Sequence, residues 1–141
     1  MSEAPAGRPT PKASDRPMSP YVTVWRWHLT MATSILHRVT GVALYGAALI
    51  LAGWALALAA GPGAYDSFRL ILGSPLGKLV LIAITLSLFF HLANGVRHLV
   101  WDFGSGFLPK TADMTAAAVI VFAVAATMAV WVAAGMMGAL S

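Results

Sequence analysis

Three long apolar runs separated by short polar breaks dominate the chain, and none shows the strict two-residue alternation of a membrane strand. The first run is Val39 to Ala60, with its helix expected to begin near Met31 and to stop at Gly61-Pro62-Gly63. The second follows Ser74-Pro75, where proline suits a helix start, and runs to about Asp102. Gly104-Ser105-Gly106 and Pro109 make the next turn, and the third run extends from about Met114 to Gly138 without a charge. Each has at least the ~20 residues needed to cross a hydrocarbon core. The pattern predicts an all-α membrane protein with three transmembrane helices. It divides into a flexible polar arm (1–20), an interfacial aromatic segment (21–31), spans at 32–60, 76–102 and 114–138, an external loop (61–75) and a cytoplasmic loop (103–113).

Composition strengthens that reading. The chain is 59% hydrophobic and 10% charged, with a mean hydropathy of +0.78. Soluble domains carry about 25% charged residues. Backbone polar groups in lipid must be satisfied internally, which leaves helices once alternation is absent. There is no cysteine, which excludes thiolate-held iron–sulfur clusters and disulfides. The first twenty residues have no apolar core and do not read as a secretory signal.

The net charge of +4 matters less than its placement. Arg8, Lys12, Arg16, Arg26 and Arg38 lie before or early in span one, and Arg97 and Lys110 flank the second connection. Arg69 and Lys78 stand alone on the other side. The positive-inside rule therefore predicts a cytoplasmic N-terminus and an external C-terminus. Tyr21, Trp25, Trp27, Trp101 and Phe103 mark one interface, and Trp54, Tyr65 and Trp131 the other. Gly41 and Gly46 read as helix-packing positions.

Ionisable residues within the spans carry the candidate chemistry, because such groups in lipid are rare and functional by default. His91, His98 and Asp102 are spaced seven and eleven residues apart and share nearly one helix face. Counting ~1.5 Å per residue from the cytoplasmic boundary puts His37 ~9 Å deep, His98 ~6 Å and His91 ~16 Å. On that count His91 is alone near the bilayer centre. A neutral imidazole there can ligate haem iron, with Arg38, His37, His98 and Arg97 near the propionates and Gly95 admitting a flat macrocycle. The simpler alternative is an imidazole hydrogen-bonded to a neighbouring helix. A bis-histidine haem would take its second ligand from another polypeptide, so the three spans are expected to be half of a heterodimeric haem-binding helical bundle. Ser34 and Arg38, at i and i+4, could hold the carbonyl oxygens of a quinone, with Trp27 and Met31 over its ring. Alternatively, Arg38 snorkels to phosphate headgroups.

Arg16-Pro17-Met18-Ser19-Pro20, then Ser34-Ile35-Leu36-His37-Arg38-Val39-Thr40-Gly41, then His91 through Asp102 resemble the larger cytochrome b anchor subunit of succinate dehydrogenase, respiratory complex II. The resemblance spans Arg16 to about Phe103, and its arm looks closest to the α-proteobacterial and mitochondrial branch. It implies that His91 is an axial ligand of haem b and that Arg38, His37 and His98 lie near the propionates. It further implies that Ser34, Arg38, Trp27, Met31 and Ile35 line a ubiquinone pocket with Asp102 at its mouth. The implied partners are a smaller cytochrome b anchor subunit, an iron–sulfur subunit and a flavoprotein subunit, in a heterotetramer of the bacterial inner membrane. On this reading the chain is no enzyme alone but a subunit of succinate:ubiquinone oxidoreductase. Tyr21 departs from the pattern, because mitochondrial relatives often have histidine there. Competing expectations are a small transport subunit using His91 as a proton relay, which the lack of an internal repeat disfavours, and a cofactor-free structural anchor.

Overall fold

A computed structural model describes residues 26–138. The polar arm, Tyr21 and Trp25 lie outside the described residues. Among the described residues four helices follow one another: α1 (Leu29–Ala60), α2 (Pro62–Gly73), α3 (Pro75–Asp102) and α4 (Pro109–Met136). Of these, α1, α3 and α4 are long and apolar enough to cross a membrane. At ~1.5 Å per residue the 28 residues of α3 extend about 42 Å, more than a hydrocarbon core of ~30 Å.

The boundaries differ from expectation at three places, the first being that α1 begins at Leu29, inside the expected 21–31 segment. Most of the connection 61–75, expected as an external loop, is the helix α2. Gly61 makes the break with φ of 105°, a left-handed-region value that favours glycine, and Pro62 opens the next helix. Helix α4 begins at Pro109, five residues ahead of the expected span. Pro109 at its first turn lets the polar residues Lys110, Thr111 and Asp113 wind helically before the apolar stretch. At the α2–α3 junction, the Ser74 hydroxyl accepts from Gly77 N–H at 3.1 Å and donates to the Ile71 carbonyl at 2.7 Å. Gly77 is fully enclosed there, and a Cβ would run into the Ile71 and Leu72 carbonyls.

The seam between α3 and α4 forms the centre of the bundle. Ala112, Ala116, Val119, Ala123 and Thr127 recur at three- and four-residue intervals, giving α4 a buried stripe of mostly small side chains. Small residues let helices approach closely where no hydrophobic force separates lipid from protein. Phe90, Asn94 and Arg97 supply the facing stripe of α3, and Phe90 packs with Val119 and Ala123. Helix α1 rests on this pair through the fully buried Thr33, and Thr30 donates to Asp113 at 2.7 Å. Most large apolar side chains of α1 point outward, as a helix flanked by lipid or partner helices requires.

Candidate functional site

The packing of α1 against α3 brings His37, His91 and His98 into one row. The His37 ring stacks on His91 with centroids 3.9 Å apart and planes 13° from parallel, and its centroid lies 5.1 Å from that of His98. His91 is therefore not alone, contrary to the depth count. That count follows each helix axis separately, whereas packing and side-chain direction decide which rings meet. Gly41 permits the approach, since a Cβ there would stand 3.1 Å from His91 Cε1. Gly95 lies under His37 instead, with the His37 Cε1 4.0 Å from the position of a Cβ. The edge of an imidazole thus reaches van der Waals contact above Gly95.

The hydrogen bonds of His91 fix its chemistry. Its Nδ1 lies 3.1 Å from the His37 carbonyl and 3.2 Å from Thr40 Oγ1. A carbonyl only accepts, so Nδ1 carries the proton and donates. Thr40 agrees, because its hydroxyl donates to the Leu36 carbonyl at 2.8 Å and leaves its oxygen lone pairs for Nδ1–H. The neutral imidazole then holds its free lone pair on Nε2, which has no hydrogen-bond partner among the described residues. Metal-ligating histidines are held this way, with the second nitrogen donating to a carbonyl. These residues fit an axial haem ligand. The Nδ1 of His37, at the middle of the row, is the one enclosed side-chain polar atom without a partner among the described residues.

Arg97 does not join this row, which corrects the expectation that it sits near propionates. It turns into the α3–α4 seam and is 6% exposed. Its Nε donates to Thr115 Oγ1 at 3.0 Å, Nη2 to the Ala112 carbonyl at 2.8 Å, and Nη1 to Asn94 Oδ1 at 3.3 Å and Thr33 Oγ1 at 3.4 Å. The guanidinium also lies 4.1 Å from the Trp101 ring centroid. Because Arg97 can only donate, Asn94 must face it with Oδ1. The amide Nδ2 is then left to His98 Nε2, 3.4 Å away. Asn94 and Thr40 are supports of the row that the sequence reading does not single out, whereas Gly41, read as a packing position, proves to pack against His91 itself. Periodicity held a signal for Arg97: six residues after His91, it lies about 120° away around the helix.

Ser34 and Arg38, four residues apart, share a face of α1 adjacent to that of His37 and opposite Leu36. Ser34 is half-buried and Arg38 exposed. Met31, half-buried, and the exposed Ile35 and Trp27 lie toward the same end of α1. Asp102 closes α3 and is exposed. Among the described residues no group of three or more His, Asp or Glu side chains could hold a free metal ion. Trp131 Nε1 lies 3.4 Å from Thr85 Oγ1, so this expected anchor also touches α3.

Residues 12–130 match the family described as succinate dehydrogenase/fumarate reductase transmembrane subunit. The chain is 39% identical over 118 residues to the succinate dehydrogenase cytochrome b556 subunit of Rickettsia felis, covering 83% of this chain and 91% of the relative. It is 40% identical over 118 residues to the same-named subunit of Rickettsia prowazekii, with the same coverage. Identity to the mitochondrial cytochrome b560 subunit of Mus musculus is 37% over 117 residues, covering 79% of this chain and 68% of the relative. With three apolar helices, a row of imidazoles within them and these matches along most of its length, the chain belongs to the succinate dehydrogenase/fumarate reductase transmembrane subunit family.

Proposed function

We propose that this chain is the larger cytochrome b anchor of a succinate:ubiquinone oxidoreductase in a bacterial inner membrane, with its N-terminus cytoplasmic. In this role it is a non-catalytic subunit that docks an iron–sulfur and a flavoprotein subunit and shares haem b with a smaller anchor. The observation that carries the reading is the locked tautomer of His91, whose Nδ1–H is held by α1 while Nε2 remains open. His91 is the proposed axial ligand, and Arg38, His37 and His98 are the proposed groups around the propionates. Haem b, when bound, supplies a one-electron redox centre inside the bundle.

Ser34 and Arg38 are the proposed quinone contacts. A Ser34 hydroxyl donating to one carbonyl oxygen orients the ring, and Met31, Ile35 and Trp27 provide its apolar surroundings. Arg38 then donates a charge-assisted hydrogen bond that strengthens as electrons from the iron–sulfur subunit make the quinone oxygen negative. Asp102, exposed at the end of α3, lies toward the side from which the two protons enter.

The visible spectrum of the purified complex tests the cofactor assignment. The expected result is a reduced b-type α band in the wild type and loss of the low-spin form in His91→Leu, with assembly retained. An unchanged low-spin spectrum in His91→Leu would remove His91 as the ligand. A wild-type complex without b-type absorption would return it to a purely structural hydrogen bond.

A further inference from the structure

Between residues 39 and 141 the end of the bundle that carries α2 has two basic residues, Arg69 and Lys78. Both line one cavity of about 230 Å³. The short helix α2 builds one wall, pressed onto α1 where Phe68 Cε2 lies 3.3 Å from the position of a Gly53 Cβ. The tight Ser74–Gly77 turn places Lys78 beside it at the start of α3. Trp54, Tyr65 and Trp131 contribute aromatic surface from α1, α2 and α4. The cavity is thus an open hollow lined by residues of all four described helices and shaped by two structural constraints.

We propose that this cavity binds the phosphodiester headgroup of an anionic phospholipid. Two cationic residues lining one hollow suit a phosphate, and they would suit a free phosphate ion equally. Two further observations favour the lipid. Trp and Tyr rings are characteristic of the headgroup level of a bilayer. The surrounding surface is apolar, with Leu70, Ile71 and Leu76 between 67% and 78% exposed, which suits acyl chains rather than water. Asp66, one turn before Arg69, is the nearby carboxylate on α2 and is not among the residues lining the cavity. The proposal rests on the spanning helices and this cavity, independent of the haem and quinone assignments.

Native mass spectrometry of the assembled complex, stripped of lipid by detergent exchange, supplies the test. Dioleoyl phosphatidylglycerol, dioleoyl phosphatidylcholine and inorganic phosphate are titrated separately. Each basic residue near an anionic headgroup contributes a factor of about five in binding, so Arg69→Gln with Lys78→Gln should weaken one phosphatidylglycerol site about 25-fold. The charge-preserving pair Arg69→Lys with Lys78→Arg should keep that site, which separates lost charge from lost fold. Phosphatidylcholine should bind wild type and variants alike. Equal phosphatidylglycerol retention by the wild type and the glutamine pair would overturn the proposal. So would inorganic phosphate binding that depends on Arg69 and Lys78 while phosphatidylglycerol binding does not.

Discussion

Arg97→Met asks how much of the bundle depends on one enclosed guanidinium. Two of its hydrogen bonds are short, to the Ala112 carbonyl at 2.8 Å and Thr115 Oγ1 at 3.0 Å, and two are long at 3.3 and 3.4 Å. Charged hydrogen bonds contribute about 1.5–3 kcal/mol each in soluble proteins, while interhelical bonds measured in membranes average nearer 0.6. Methionine fills similar space and removes a cation that was costly to enclose, which offsets part of the loss. The Ala112 carbonyl keeps the Thr115 hydroxyl as a donor at 3.1 Å, whereas Asn94 Oδ1 loses its partner. The expected net destabilisation is about 2–3 kcal/mol, roughly 30- to 140-fold in the folding equilibrium. Loss of helical circular dichroism during titration with sodium dodecyl sulfate in mixed micelles measures it. Adding Asn94→Leu to Arg97→Met should recover about 1 kcal/mol, because the stranded amide is removed with its donor. Wild-type stability in Arg97→Met, or strict additivity of the two changes, would refute the argument that this network clamps α3 to α4.

Further expectations concern the site itself. Gly41→Val should push directly on His91 Cε1 and lower haem content severalfold, whereas Gly46→Ala, with nothing within 4 Å of its Cβ position, should leave it unchanged; pyridine haemochrome spectra read both. Arg38→Leu should depress quinone reduction by about tenfold or more and Ser34→Ala by about threefold, following the worth of charged and neutral hydrogen bonds. Succinate oxidation with a soluble dye should persist in both, and parallel loss in the two assays would indicate failed assembly instead. Expressed alone, the chain should hold no stoichiometric six-coordinate haem. Co-expression with the smaller anchor should raise haem content and melting temperature together, since a ligand bound only by the assembled state stabilises it. A lone chain with full low-spin haem would count against a shared ligand.

The sequence by itself determined the three spanning helices, because a bilayer demands about 20 apolar residues per crossing and nothing shorter satisfies it. It also determined that His91 and His98 share a face of α3, since helical periodicity is local. Helix α2 escaped notice because its twelve residues sit between glycines and prolines that read equally well as a loop. The early start of α4 was hidden by charged residues whose helical state depends on the Pro109 turn. What only the tertiary structure decided is how faces of different helices meet. The stack of His37 on His91, the contact of His37 above Gly95 and the inward turn of Arg97 all follow from the crossing of α1, α3 and α4. Periodicity assigns each side chain a direction about its own axis. The partner in that direction is set by packing, and only packing told the locked His91 Nδ1 from a free one.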